Sequence, residues 1–109
     1  MRELLEKTIA RFNEKTMTDE KLRSELAGIE RRVLLDLKDG TMYNFLLKDA
    51  HVDGVHDGTV DSPDITIIAE RGTLEALFKR EIGPMKAIAL QKLKVKASIE
   101  DMLRLRKFF

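Results

Sequence analysis

IERRVLLDLKDGTMYNFLLKD, residues 29–49, holds two strands and the turn between them. Ile29, Val33, Leu35 and Leu37 alternate with Glu30, Arg32, Asp36 and Lys38, the period of a half-buried strand. Asp39-Gly40 follows, a pair suited to a two-residue hairpin turn. That turn predicts a register in which Lys38 opposes Thr41, Leu37 opposes Met42 and Val33 opposes Leu46. Leu34 then opposes Phe45, and Asp36 opposes Tyr43. Both faces of the hairpin therefore carry apolar side chains, and the second face needs cover from a helix or a second copy of the chain.

Upstream of the hairpin the period lengthens. Leu5, Ile9 and Phe12 fall on one stripe of a helix over residues 2–15, with Leu4 and Thr8 beside it. A second helix starts with Thr18 as its N-cap and Asp19 and Glu20 in its first turn. Leu22, Leu26 and Ile29 share a face, and Gly28 is a stop signal.

Downstream, AHVDGVHDGTVDSPD (residues 50–64) reads as a short irregular strand between turns. DITIIAE (64–70) is a strand, rich in β-branched residues. Gly72-Thr73 opens a helix with Leu74, Leu77, Phe78 and Ile82 on one face. Gly83 ends it, and Pro84 suits the first turn of the next. KLKVKA (92–97) is a strand with one apolar and one lysine face. Ser98 and Asp101 are spaced as a capping box for a last helix carrying Ile99, Met102, Leu103 and Leu105 toward Phe108-Phe109. Helices and strands are partly segregated along the chain, so an α+β fold with a mostly antiparallel sheet is expected.

The totals narrow the function classes. The 109 residues suit one domain: a helical part over 1–27, then sheet and further helices over 29–107. Formal net charge is +1, too little for a global field toward nucleic acid. No cysteine is present, which removes thiolate chemistry and disulfides. No apolar run approaches the ~20 residues of a bilayer span, and no signal-peptide core opens the chain, so the cytoplasm is the default location.

Few residues offer chemistry. His51 and His56, with Asp53, Asp57 and Asp61, raise a metal-site reading, but no known ligand spacing is matched. Ser24, Ser62 and Ser98 lack a nucleophile-elbow setting, and no phosphate-cradling glycine motif occurs. No cofactor is expected. Lys92, Lys94 and Lys96 form a basic row without aromatic residues to stack bases, so nucleic acid is not expected; a solvated strand face or contact with anionic lipid head groups is the better reading. MKAIALQ (85–91) is apolar nearly all round, which predicts a helix buried on more than one side.

Taken in order, DLKDGTMYNF, DITIIAE, TLEALFKREI, GPMKA, QKLKVKA and SIEDMLRL resemble the sterol carrier protein 2 family. Asp64 and Thr66 match its strand motif, Pro84 and Ala87 its proline-led helix, and Lys92 to Val95 its last strand. The resemblance covers about residues 33–105. Gln91 and Ala97 depart from it, standing where the family usually has glycines; a side chain there would narrow the nearby passage or shift the turn.

The resemblance implies a five-stranded, mostly antiparallel sheet with helices packed on one side. Between them it implies an apolar tunnel for a sterol, fatty acid, acyl-CoA or isoprenoid, bound by a non-enzymatic carrier. The implied lipid-binding residues are Ile65, Ile67, Leu74, Leu77, Phe78, Met85, Ile88, Ala89, Met102 and Leu105. The implied partner is an apolar small molecule; transient contact with an anionic membrane surface is expected from the lysine row alone. A structural module with a closed core, or a homodimer through the hairpin, is the competing reading.

Overall fold

A computed structural model describes residues 1–108, with side chains through residue 104. Helices α1 (Arg2–Thr18) and α2 (Glu20–Leu26) come first. Strands β1 (Glu30–Asp36), β2 (Met42–Lys48), β3 (His51–Val52), β4 (His56–Asp57) and β5 (Ile65–Ala69) follow. Then come α3 (Arg71–Phe78), α4 (Pro84–Ala89), β6 (Leu93–Lys96) and α5 (Ile99–Phe108). The strands lie in the order β3-β2-β1-β5-β6, with β4 also paired to β2. β3 and β4 continue along one edge of β2, so six strands make a sheet five strands wide. Only β1 and β5 run parallel; the other pairs are antiparallel.

The hairpin register differs from the expected one by a residue. Val33 faces Phe45, Leu35 faces Tyr43 and Asp36 faces Met42. The loop has three residues, with Leu37 N–H donating to Thr41 O at 3.0 Å, and with Lys38 and Gly40 both at positive φ. Two aspartates cause the extra residue. Asp36 accepts from the N–H of Lys38, and Asp39 accepts from the N–H of Thr41, each at 2.9 Å, the local bonding typical of Asp in turns. The slip reverses the faces of β2. Tyr43, Phe45 and Leu47 now meet the core, and Met42 and Leu46 turn outward.

One face of the sheet carries the core. Val33, Leu35, Tyr43, Ile65, Ile67, Ala69 and Leu93 pack against Leu5 and Ile9 of α1 and Leu74 and Leu77 of α3. A smaller cluster joins Leu22, Leu26 and Ala50 beneath α2. The other face is covered in part by the chain itself, where a helix or second copy was expected. Asn44 donates to Gly58 O and Arg32 donates to Asp61 O, which lays the 58–61 loop against the outer face beside buried Leu34.

Helix ends also shift. α1 runs through Thr18, whose hydroxyl turns back to the carbonyls of Glu14 and Lys15. The N-cap of α2 is Asp19, which accepts from Leu22 N–H at 3.1 Å. α3 stops at Phe78, before Gly83, because Arg80 takes a left-handed conformation. α4 is a surface helix: Ala87 is buried, but Met85 and Leu90 are more than half exposed, against the expectation of all-round burial.

Candidate functional site: an apolar cavity under the last two helices

A cavity of about 270 Å³ lies between the sheet and α3, α4 and α5. Its floor is Ile67 from β5 with Leu93 and Val95 from β6, neighbours because Ile67 pairs with Val95 and Ala69 with Leu93. Leu74, Leu77 and Phe78 of α3 form one wall. Pro84, Met85 and Ile88 of α4 form a second, and Ile99, Met102 and Leu103 of α5 a third. Every lining residue among the described ones is apolar. Ile67, Leu93, Leu74 and Leu77 are buried and Val95 and Phe78 partly so, while Met85, Ile99, Met102 and Leu103 meet solvent, so the cavity opens between α4 and α5.

The local sequence explains each wall. Alternation in β6 sends Leu93 and Val95 inward and Lys94 and Lys96 outward. Pro84 fixes the first turn of α4 after Gly83, whose extended conformation lets the chain reverse out of α3. At α5, Ser98 Oγ accepts from Asp101 N–H at 3.1 Å, the forward arm of a capping box. The return arm is missing because the Asp101 carboxylate is used elsewhere. It accepts from Arg31 Nε at 2.9 and 3.0 Å and from an Arg104 guanidinium nitrogen at 2.8 Å. Asp101 is 4% exposed and is the only buried residue of α5 among the described ones. A polar latch to β1 therefore holds the third wall.

Of the ten residues named from the sequence, Ile67, Leu74, Leu77, Phe78, Met85, Ile88 and Met102 line the cavity. Ile65 is buried in the central core beside Val33. Ala89 faces solvent, because in so short a helix Ala87 takes the inward position. The side chain of Leu105 lies outside the described residues. Pro84, Leu93, Val95, Ile99 and Leu103 were not named. The apolar half of the KLKVKA alternation was the signal for Leu93 and Val95. Gln91 is exposed and lines nothing, and Ala97 packs on the core, so neither closes the cavity.

The polar candidates disperse. His51 lies 3.4 Å from Asp53 at the exposed β3 edge. Among the described residues no three His, Asp or Glu side chains converge as metal ligands.

A one-sided α+β sandwich around an apolar cavity is thus the class that fold and site define. A profile of the SCP-2 sterol transfer family matches residues 9–109, and the chain belongs to that family. No curated protein matches by sequence. Among solved structures, palmitated SCP2L2 from Aedes aegypti superposes with a TM-score of 0.67 at 16% identity, over 94% of this chain and 91% of that one. The UbiJ-SCP2 ubiquinone synthesis protein gives 0.66 at 22%, over 95% and 81%. An inverting sec-alkylsulfatase from Pseudomonas sp. gives 0.63 at 14% identity; the match covers 78% of this chain but only 14% of the sulfatase. These likenesses describe a shared fold.

Proposed function

We propose that the chain binds the hydrocarbon part of a lipid in this cavity and carries it without chemical change. The observation behind the reading is a cavity whose twelve lining residues, among those described, are all apolar. Among the described residues no carboxylate, imidazole or hydroxyl lines it to act on a substrate. A charged head group would find no partner inside and stays in water at the opening. Solved relatives support the reading, since two structures of Aedes aegypti family members are described with palmitate.

Size constrains the ligand. The cavity, of about 270 Å³, opens between α4 and α5, so a chain longer than it encloses can extend toward solvent. Each buried methylene contributes about 0.8 kcal/mol before the cost of association, and micromolar affinity needs ~8 kcal/mol, or about ten methylenes. A short chain therefore binds weakly and a longer one more tightly. The test is a panel of saturated fatty acids and isoprenoid alcohols added to delipidated protein. Chains longer than about ten carbons should raise Tm most, and a panel that leaves Tm unmoved contradicts the reading. Transfer between membranes and cytoplasmic residence belong to the same proposal.

A homodimer is a separate proposal. Met42, Leu46 and Ile68 remain partly exposed on the outer sheet face. Light scattering showing a monomer at all concentrations would remove it.

A further inference from the structure

The opening of the cavity is rimmed by side chains that water does not favour. Ile99 is 80% exposed, Leu103 58% and Met85 54%, and Met102 completes the ring. Leu90, 51% exposed at the C-cap of α4, adds a fifth without lining the cavity. Five of the six large apolar side chains most exposed among the described residues thus stand on two adjoining helices; Met17 of α1 is the sixth. Scattered exposed apolar residues are ordinary, but a contiguous group of this kind marks an interaction surface.

Charge on the two helices points to the partner. α4 carries one lysine, Lys86, and no acidic residue, whereas the first turn of α5 carries Glu100 and Asp101. Asp101 is buried and held by Arg31 and Arg104. Glu100 is left at the surface, its side chain 80% exposed and 4.0 Å from Arg104, the limit of an ion pair. Lys86 is exposed four residues before Leu90, so the two share one stripe of α4. Glu100 precedes Leu103 by three residues and shares a stripe of α5 with it. Lys94 and Lys96 leave β6 on the sheet face away from the cavity and take no part. The rim therefore sets an apolar patch between a cation on α4 and an anion on α5, which makes it complementary to itself after a half-turn.

We infer that two copies of the chain pair rim to rim when the cavity is empty, α4 of each crossing α5 of the other, so that each copy caps the other's cavity opening. Lys86 of each copy then meets Glu100 of the other, and Met85, Leu90, Ile99 and Leu103 leave water on both sides. The same side chains cannot also border an opening filled by ligand. A fatty acid in the cavity holds its carboxylate at the opening, where a second copy would take that charge out of water among apolar side chains. Pairing and fatty-acid binding therefore oppose each other, and by linkage each weakens the other by the same factor. This opposition rests on the lipid-binding reading; the pairing itself stands on exposure and charge. It differs from a dimer through the outer sheet face, which leaves the rim in water.

The test is sedimentation velocity of the delipidated full chain from about 1 μM to about 1 mM, repeated with palmitate. Palmitate binding is measured alongside at the lowest concentration. The empty chain should pass from monomer to dimer across that range, and saturating palmitate should weaken the dimer at least tenfold. Leu90→Asp should also weaken it at least tenfold, with the fold retained by circular dichroism. Lys86→Glu should weaken it severalfold, and adding Glu100→Lys should restore most of the loss. Leu46→Asp on the outer sheet face and Met17→Asp on α1 should leave it unchanged. Four results would overturn the inference: a monomer at every concentration although palmitate binds, a dimer that palmitate tightens, a loss with Leu46→Asp or Met17→Asp equal to that with Leu90→Asp, or no recovery in the double charge swap. Failure of the unaltered chain to bind palmitate would instead sink the cavity reading, while the dimer's response to Leu90→Asp and to the charge swap would still be read. The two failures are thus separately visible.

Discussion

Gln91 holds a backbone conformation that glycine adopts freely. Its φ is 59°, at the turn where α4 passes into β6. A left-handed residue with a Cβ costs ~1–2 kcal/mol, partly offset because glycine loses more freedom on folding. Gln91→Gly should therefore stabilise the protein by about 0.5–1 kcal/mol, a rise of several degrees in Tm by calorimetry. A lower Tm would show that the glutamine side chain contributes contacts that outweigh the strain. Asp39 offers a second test at this scale. The N–H of Thr41, then its hydroxyl, then Arg71 hold the carboxyl below the ordinary aspartate value of 3.8. Because the folded value is depressed, the stabilisation it supplies is present above about pH 4 and is lost as pH falls through the folded pKa. An NMR titration should place the Asp39 midpoint below 3.8, and Arg71→Ala should leave most of the shift, since Thr41 is the larger cause. A midpoint returned to normal in that variant would reverse the ranking.

At the scale of elements, α5 is the wall with the least apolar attachment. Among its described residues only Asp101 is buried, and it is held by Arg31 of β1 and Arg104 of α5 itself. Asp101→Ala leaves Arg31 without that partner and should cost about 2 kcal/mol. Hydrogen exchange should then quicken in α5 while β1 and β5 keep their protection; uniform loss across the sheet would mean that α5 is no separate unit. The same elements show what can be read before folding. β5, β6, α3 and α4 follow from period and punctuation, because alternation and Pro84 act within a few residues. The hairpin register did not, because it depended on Asp36 and Asp39 bonding their own backbone rather than on the Asp-Gly pair. The inward side of α4 did not either. In a helix of six residues nearly every position is apolar, and contact with the sheet, not pattern, selects Ala87 over Ala89. The Arg31–Asp101 pair joins residues 70 positions apart, beyond any local signal.

For the whole molecule, binding to the folded form alone raises stability by RT ln(1 + [L]/Kd), about 2.7 kcal/mol at a hundredfold excess over Kd. Met102→Trp places a large ring at the open side and should weaken fatty-acid binding severalfold with little change in the Tm of empty protein, since Met102 is partly in solvent. Unchanged affinity would mean that the ligand enters elsewhere. The central claim is that an alkyl chain occupies the space under α4 and α5. Methyl NMR of the labelled chain, titrated with palmitate, tests it most directly. The account predicts saturable shifts at Ile67, Leu74, Leu77, Ile88, Leu93 and Val95, with Leu22 and Leu26 beneath α2 unmoved. No saturable shift at the six, or equal shifts at Leu22 and Leu26, would contradict it.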